Sequence, residues 1–185
     1  MASLASRDPS PSDALDRWLG DVRSDQAARS RARVGALRAH AAEDATLVGV
    51  LADLAERRAT AVVTTTQGRR HRVEVWAVGP DAVVFCAGHD EWLVVRLTCV
   101  ASVRLVGGDP VHGEGSMTMT ASFGRILARA AEPGDRLRLV LGGEVVAGEV
   151  VSISAEVAVL RLDSTDLSYV ALGAVEEAVV VRPEL

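Results

Sequence analysis

A duplication governs this sequence. Displaced by 75 positions without a gap, the chain superposes Gly49 on Gly124, Gly68 on Gly143, Glu74-Val75 on Glu149-Val150, Val84 on Val159, Leu97 on Leu172 and Val100 on Val175. Apolar types also meet apolar types: Val48 falls on Phe123, Leu51 on Ile126, Val62 on Leu137, Val78 on Ile153 and Phe85 on Leu160. Chance does not keep glycines and apolar positions in step over about sixty residues, so the chain holds two copies of one unit. Whatever the unit is, about sixty residues must complete it.

The punctuation inside each copy says what it is. In the second, Pro133-Gly134-Asp135-Arg136 opens the alternating run Leu137, Leu139, Leu141; Gly142-Gly143 turns the chain; and further apolar runs end at Ile153, Leu162, Leu172 and Val181. The first copy predicts strands Ala61 to Thr66, His71 to Val78, Ala82 to Cys86, Trp92 to Leu97 and Ser102 to Val106. Short Val- and Leu-rich runs broken by Gly, Asp and Ser read as a small antiparallel barrel of about five strands. A short helix precedes each barrel. Leu47, Val48, Leu51, Leu54 and Ala55 form the apolar face of the first, and Phe123, Ile126, Leu127 and Ala130 that of the second, with Ser122 as its expected cap.

The expected organisation is residues 1–12 as a disordered N-terminus, 13–45 as a helical extension, 46–106 as the first barrel with its helix, 107–120 as a linker and 121–182 as the second barrel with its helix. The fold class is mainly β with an N-terminal α segment. In the extension Leu15, Trp18, Leu19 and Val22 make an apolar stripe, which thins where Arg23, Arg29, Arg31, Arg33 and Arg38 stand against a single Asp25 and Val34 and Leu37 keep a narrow seam. Residues 13–57 are long enough for one helix or two.

Composition narrows the function. Aromatics are only 3%, so the cores are aliphatic, and the net charge of −5 gives no general attraction to nucleic acid or anionic membrane. Cys86 and Cys99 sit inside apolar strand patterns, which suits reduced thiols in the cytoplasm better than a disulfide scaffold. No apolar run approaches the roughly twenty residues that span a bilayer. His40, His71, His89 and His112 are scattered with no metal-binding spacing, and neither His89-Asp90-Glu91 nor Asp109, His112 and Ser116 has the context of a catalytic site. The expectation is a protein that is not an enzyme and holds no cofactor or metal.

The pattern Gly-x-x-x-x-Gly-x-Val-x-x-Ile from Gly143 to Ile153 resembles the first signature of Sm-like proteins. Residues Tyr169 to Val175, with Val94 to Val100 in the first copy, sit where that family's second signature falls. The resemblance covers both copies and implies two tandem Sm-like (SH3-like) five-stranded barrels. It also implies RNA contacts through an Asp and an Asn in the loop after the bent second strand and an Arg-Gly pair between the last two strands. Here the loop positions are Gly79-Pro80-Asp81 and Ser154-Ala155-Glu156, and the pair is Leu97-Thr98, preceded by Arg96, and Leu172-Gly173. What the resemblance keeps is the architecture, in which the fourth and fifth strands are edges that pair between neighbouring units.

The expected function is therefore assembly. One copy pairs with the other inside the chain, and the remaining edges or the N-terminal helix join a second chain to give a homo-oligomer, a dimer or pseudo-ring. The alternative is a regulatory protein binding RNA or another nucleic acid through Arg29, Arg31, Arg33, Arg69, Arg70 and Arg72, with Trp76 and Trp92 as candidate stacking or partner contacts.

Overall fold

The computed structural model describes residues 45–88, 91–111, 113–163 and 165–181, together with Gln26, Ser30 and Arg33. The chain divides into a unit Met1–Glu43 and a unit Asp44–Leu185. Of the first unit, the three described residues are helical and exposed. Everything below concerns the second.

This unit is mainly β. Helix α1 (Leu47–Glu56) is followed by β1 (Thr60–Thr65), β2 (Arg70–Val78), β3 (Ala82–Cys86), β4 (Glu91–Arg96), a 3-10 turn (Leu97–Cys99) and β5 (Val100–Leu105). The series then repeats as α2 (Phe123–Ala130), β6 (Arg136–Leu141), β7 (Glu144–Ile153), β8 (Val157–Arg161), β9 (Leu167–Ala171), a 3-10 turn (Leu172–Ala174) and β10 (Glu177–Val181). Adding 75 to the bounds of β3 and of the first 3-10 turn gives those of β8 and of the second. Even the irregularities repeat. Strand β2 bulges between Val75 and Ala77 against β3, and β7 bulges between Val150 and Ser152 against β8, so Trp76 and Val151 are equivalent extra residues.

The strands do not form two separate sheets. They make one antiparallel ten-stranded sheet in the order β5-β1-β2-β3-β4-β10-β6-β7-β8-β9, each half contributing five neighbours and β4 joining β10. That junction explains the unbroken apolar runs of β3, β4 and β10. Val83, Phe85, Leu93, Val95 and Val179 face a first core with Leu51, Leu54, Val63 and Val75. Their neighbours Ala82, Val84, Val94, Ala178 and Val180 face a second core with Phe123, Leu127, Leu139 and Leu160. A strand buried on both faces cannot alternate apolar with polar. Each such side chain contributes about 1.5–3 kcal/mol of burial, so the shared strands tie the two cores together.

The ends of the helices show how the halves diverged. Thr46 caps α1 through its Oγ1, which accepts from Gly49 N at 2.9 Å. Ser122 holds the corresponding place before α2 but makes no capping bond; Asp81, from the first half, accepts from Phe123 N at 2.8 Å instead. At the other end of α1, Arg58 N donates to Ala55 O and Ala59 N to Leu54 O, the paired bonds that close a helix on a left-handed residue. That residue is Arg58, at φ 50°, where glycine would be free of strain. Residues 107–120 are docked: Gly113 N donates to Asp53 Oδ2 at 2.8 Å, and Thr118 exchanges bonds with Val78.

Candidate functional site

At the junction, Glu177 of β10 lies opposite Val95 and Val180 opposite Trp92. Glu177 is an acid in an apolar strand, with its side chain 2% exposed. The β1–β2 hairpin of the other half answers it. His71 Nε2 lies 3.1 Å from Glu177 Oε2, and Arg69 Nη1 lies 3.8 Å from Oε1. At that distance Arg69 neutralises charge without making a hydrogen bond. Glu177 Oε1 and Thr65 Oγ1 are buried and have no hydrogen-bond partner among the described residues.

A second clamp sits one residue beyond the same end of β4's pairing with β10, past Val95. Arg96 donates from Nε to Val175 O and from Nη2 to Leu172 O, both at 2.7 Å, and from Nη1 to Asp81 Oδ2 at 3.2 Å. Its guanidinium lies 4.4 Å from the centre of the Phe123 ring. Asp81 lies in the loop, and Arg96 immediately before the Leu97-Thr98 pair, to which the Sm-like resemblance assigns RNA contacts. Here one holds the backbone of the second half and the other starts its helix. Their counterparts, 75 residues on, are Ala171 and Glu156, both exposed.

The sequence-derived candidates separate into groups. Arg29 and Arg31 lie outside the described residues, and Arg33 is helical and exposed. Arg69 turns toward Glu177. Arg70 and Arg72 are exposed and point away from the first core, since His71 and Val73 point inward between them. Val62 of β1 lies directly opposite both Arg72 and Arg104 of β5, which puts Arg104 on the same outer face. Among the described residues none of these three is in an ion pair. Trp76 is 41% exposed and meets Trp92 edge to face, with ring centres 5.0 Å apart and planes at 86°. The Arg58 guanidinium covers Trp76 at 3.3 Å. One Trp76 face is thus taken by a cation, and Glu74 stands between it and Arg72 on the outer face of β2. Arg58, Arg104 and Glu177 were not singled out from sequence. Glu177 had only a faint signal, an acid heading the apolar run Ala178 to Val181; Arg58 had none, because its role depends on a backbone angle.

Strands β5 and β9 are the two ends of the sheet and are not alike. Strand β9 reads Leu-Ser-Tyr-Val-Ala, carries no charge, and leaves Tyr169 71% and Leu167 47% exposed. Strand β5 carries Arg104, and its pairing with β1 shifts register between Thr64 and Thr65. A charge and a bulge discourage further pairing at an edge, and β9 has neither. No group of three or more His, Cys, Asp or Glu able to hold a metal gathers among the described residues, and no helix there is long and apolar enough to cross a membrane.

No protein-family profile matches the chain, and no curated protein matches it.

Proposed function

We propose that this is a non-enzymatic assembly protein, built from two Sm-like barrels fused in tandem, that extends its sheet onto other chains through an exposed strand edge. The observation that carries this reading is the β4 and β10 junction. By the 75-residue displacement β9 is the counterpart of β4, so the chain uses one such edge internally, and the other pairs with no further strand among the described residues. The outer face next to that edge supports the same reading. In the first half Ala82, Val84 and Val94 are buried against the second core, whereas their counterparts Val157, Val159 and Tyr169 have no such cover from the described residues. Free thiols at Cys86 and Cys99 support a reducing compartment such as the cytoplasm. Light scattering coupled to size exclusion, over a hundredfold range of concentration, tests the reading: a mass above that of one 19.5 kDa chain is expected, and a single-chain mass throughout overturns it.

The arginine face favours a second reading, a nucleic-acid-binding regulator. Arg70, Arg72 and Arg104 share the outer face of β5–β1–β2, next to Arg58 stacked on Trp76. Guanidinium planes and aromatic rings both accept unstacked bases, so a single strand fits better than a duplex. Replacing Arg70, Arg72 and Arg104 by Ala together should reduce the slope of log affinity against log salt by about two for a single-stranded oligonucleotide, at roughly 0.7 per lost contact. Absence of oligonucleotide binding at low salt removes this reading.

A further inference from the structure

We infer that the chain's partner at β9 is the β9 of a second copy, paired antiparallel about a two-fold axis through Tyr169, and not the β5 of a second copy in a head-to-tail chain. This rests on the assembly reading above and specifies it.

The head-to-tail alternative would repeat the internal junction between molecules. There Val94 lies opposite Ala178, so displacement by 75 in each direction would set Tyr169 opposite Val103 and carry β5 into the place of β10. In that place the side chains of Glu177 and Val179 enter the core of the neighbouring half, Val179 at 2% exposure. Their counterparts on β5 are Ser102 and Arg104. The pair that receives Glu177, Arg69 and His71, corresponds to Glu144 and Val146 in the second half. An arginine would therefore enter an aliphatic core at a site occupied internally by valine. A buried guanidinium without a close partner is strongly unfavourable.

Pairing β9 with itself requires nothing of the kind. In the register that sets Tyr169 opposite Tyr169, Leu167 faces Ala171 and Ser168 faces Val170 of the other copy. The residues that point away from the core (Leu167, Tyr169 and Ala171) then meet only one another, and the buried Val170 continues the core side. Directly opposed aromatic and aliphatic pairs are favourable units of sheet pairing. The nearest acid, Asp166, falls opposite Leu172, so no like charges oppose each other. A two-fold contact also closes after two copies and leaves the blunted β5 edges outermost, where their charge and bulge suit them to solvent.

A charge-pair exchange at position 169 tests this on the full-length chain, since a residue so exposed tolerates Lys or Glu without loss of the fold. Tyr169→Lys alone and Tyr169→Glu alone should each weaken the wild-type dimer by about tenfold or more, because like charges would stand directly opposite each other. Mixing the two variants should restore dimers containing one of each, detected by native mass spectrometry. If the wild type self-associates but the mixture does no better than either variant, the two-fold pairing is wrong while strand-edge assembly stands. A wild type that stays a monomer at all concentrations overturns both.

Discussion

Asp81 and Arg96 face each other at 3.2 Å across the β3–β4 hairpin, and both reach out of their own half of the molecule. The other Asp81 oxygen receives the first amide of α2, while Arg96 fills the carbonyls at either end of the second 3-10 turn. Two side chains of the first half thereby fix where the second begins its helix and turns into its last strand.

Arg96→Ala should be among the most damaging single substitutions, costing about 3 kcal/mol as three bonds to a charged donor are lost and the Val175 carbonyl loses its side-chain donor. Arg96→Lys should recover less than half, because an ammonium cannot reproduce the fork. Urea denaturation of both variants measures the difference, and a cost below 1 kcal/mol for Ala would show the clamp to be incidental.

The Glu177 site should be asymmetric. Removing His71 takes away the hydrogen-bond partner of Glu177 Oε2, on a side chain almost wholly buried, and leaves only Arg69 nearby, at a cost of about 1.5–3 kcal/mol. Glu177→Gln removes the charge itself while Arg69, 29% exposed, can turn to water, so the loss should be smaller. Equal losses from His71→Ala and Glu177→Gln would contradict this account.

Gly124 should not accept a methyl group. A Cβ there would strike the Ala155 carbonyl, which is backbone and cannot swing aside, whereas one at Gly173 would meet open space. Gly124→Ala should cost about 1–3 kcal/mol or more by overpacking, offset only partly by the better helix propensity of Ala. Gly173→Ala should be near neutral, and thermal unfolding of the two variants separates them.

Arg58→Gly sets two effects of similar size against each other. Relief of the left-handed backbone at a helix end is worth about 1 kcal/mol, and the lost stack on Trp76 about 0.5–1 kcal/mol at an exposed site. Stability should change little, while Trp76 becomes more exposed to an added collisional quencher of tryptophan fluorescence. A loss above 2 kcal/mol would mean that Arg58 holds more than Trp76.

The duplication and the strand pattern were both legible because they rest on local regularities. Tight turns need glycine, as at Gly142 and Gly143 with φ of 56° and 90°, and a strand half-buried in a sheet repeats every second residue, as Leu137, Leu139 and Leu141 do. The site was only partly legible. Arg69, Arg70 and Arg72 read as one basic loop, yet strand alternation and a buried acid from the other half divided them. Trp76 read as a stacking or partner contact; strand alternation turns it outward, but Arg58 from the end of α1 covers one of its faces.

What the chain's own order of residues determined, then, is the unit and its doubling: where the strands and tight turns fall, and which positions are apolar. Such signals act between near neighbours and survive in any surroundings. Only the tertiary structure decided that the expected pairing between copies would run through β4 and β10, that Arg96, Asp81 and Glu177 would serve that junction, and that β9 would be an end of the sheet among the described residues. Those outcomes depend on contacts between residues about 40 to 110 positions apart, for which propensity carries no information.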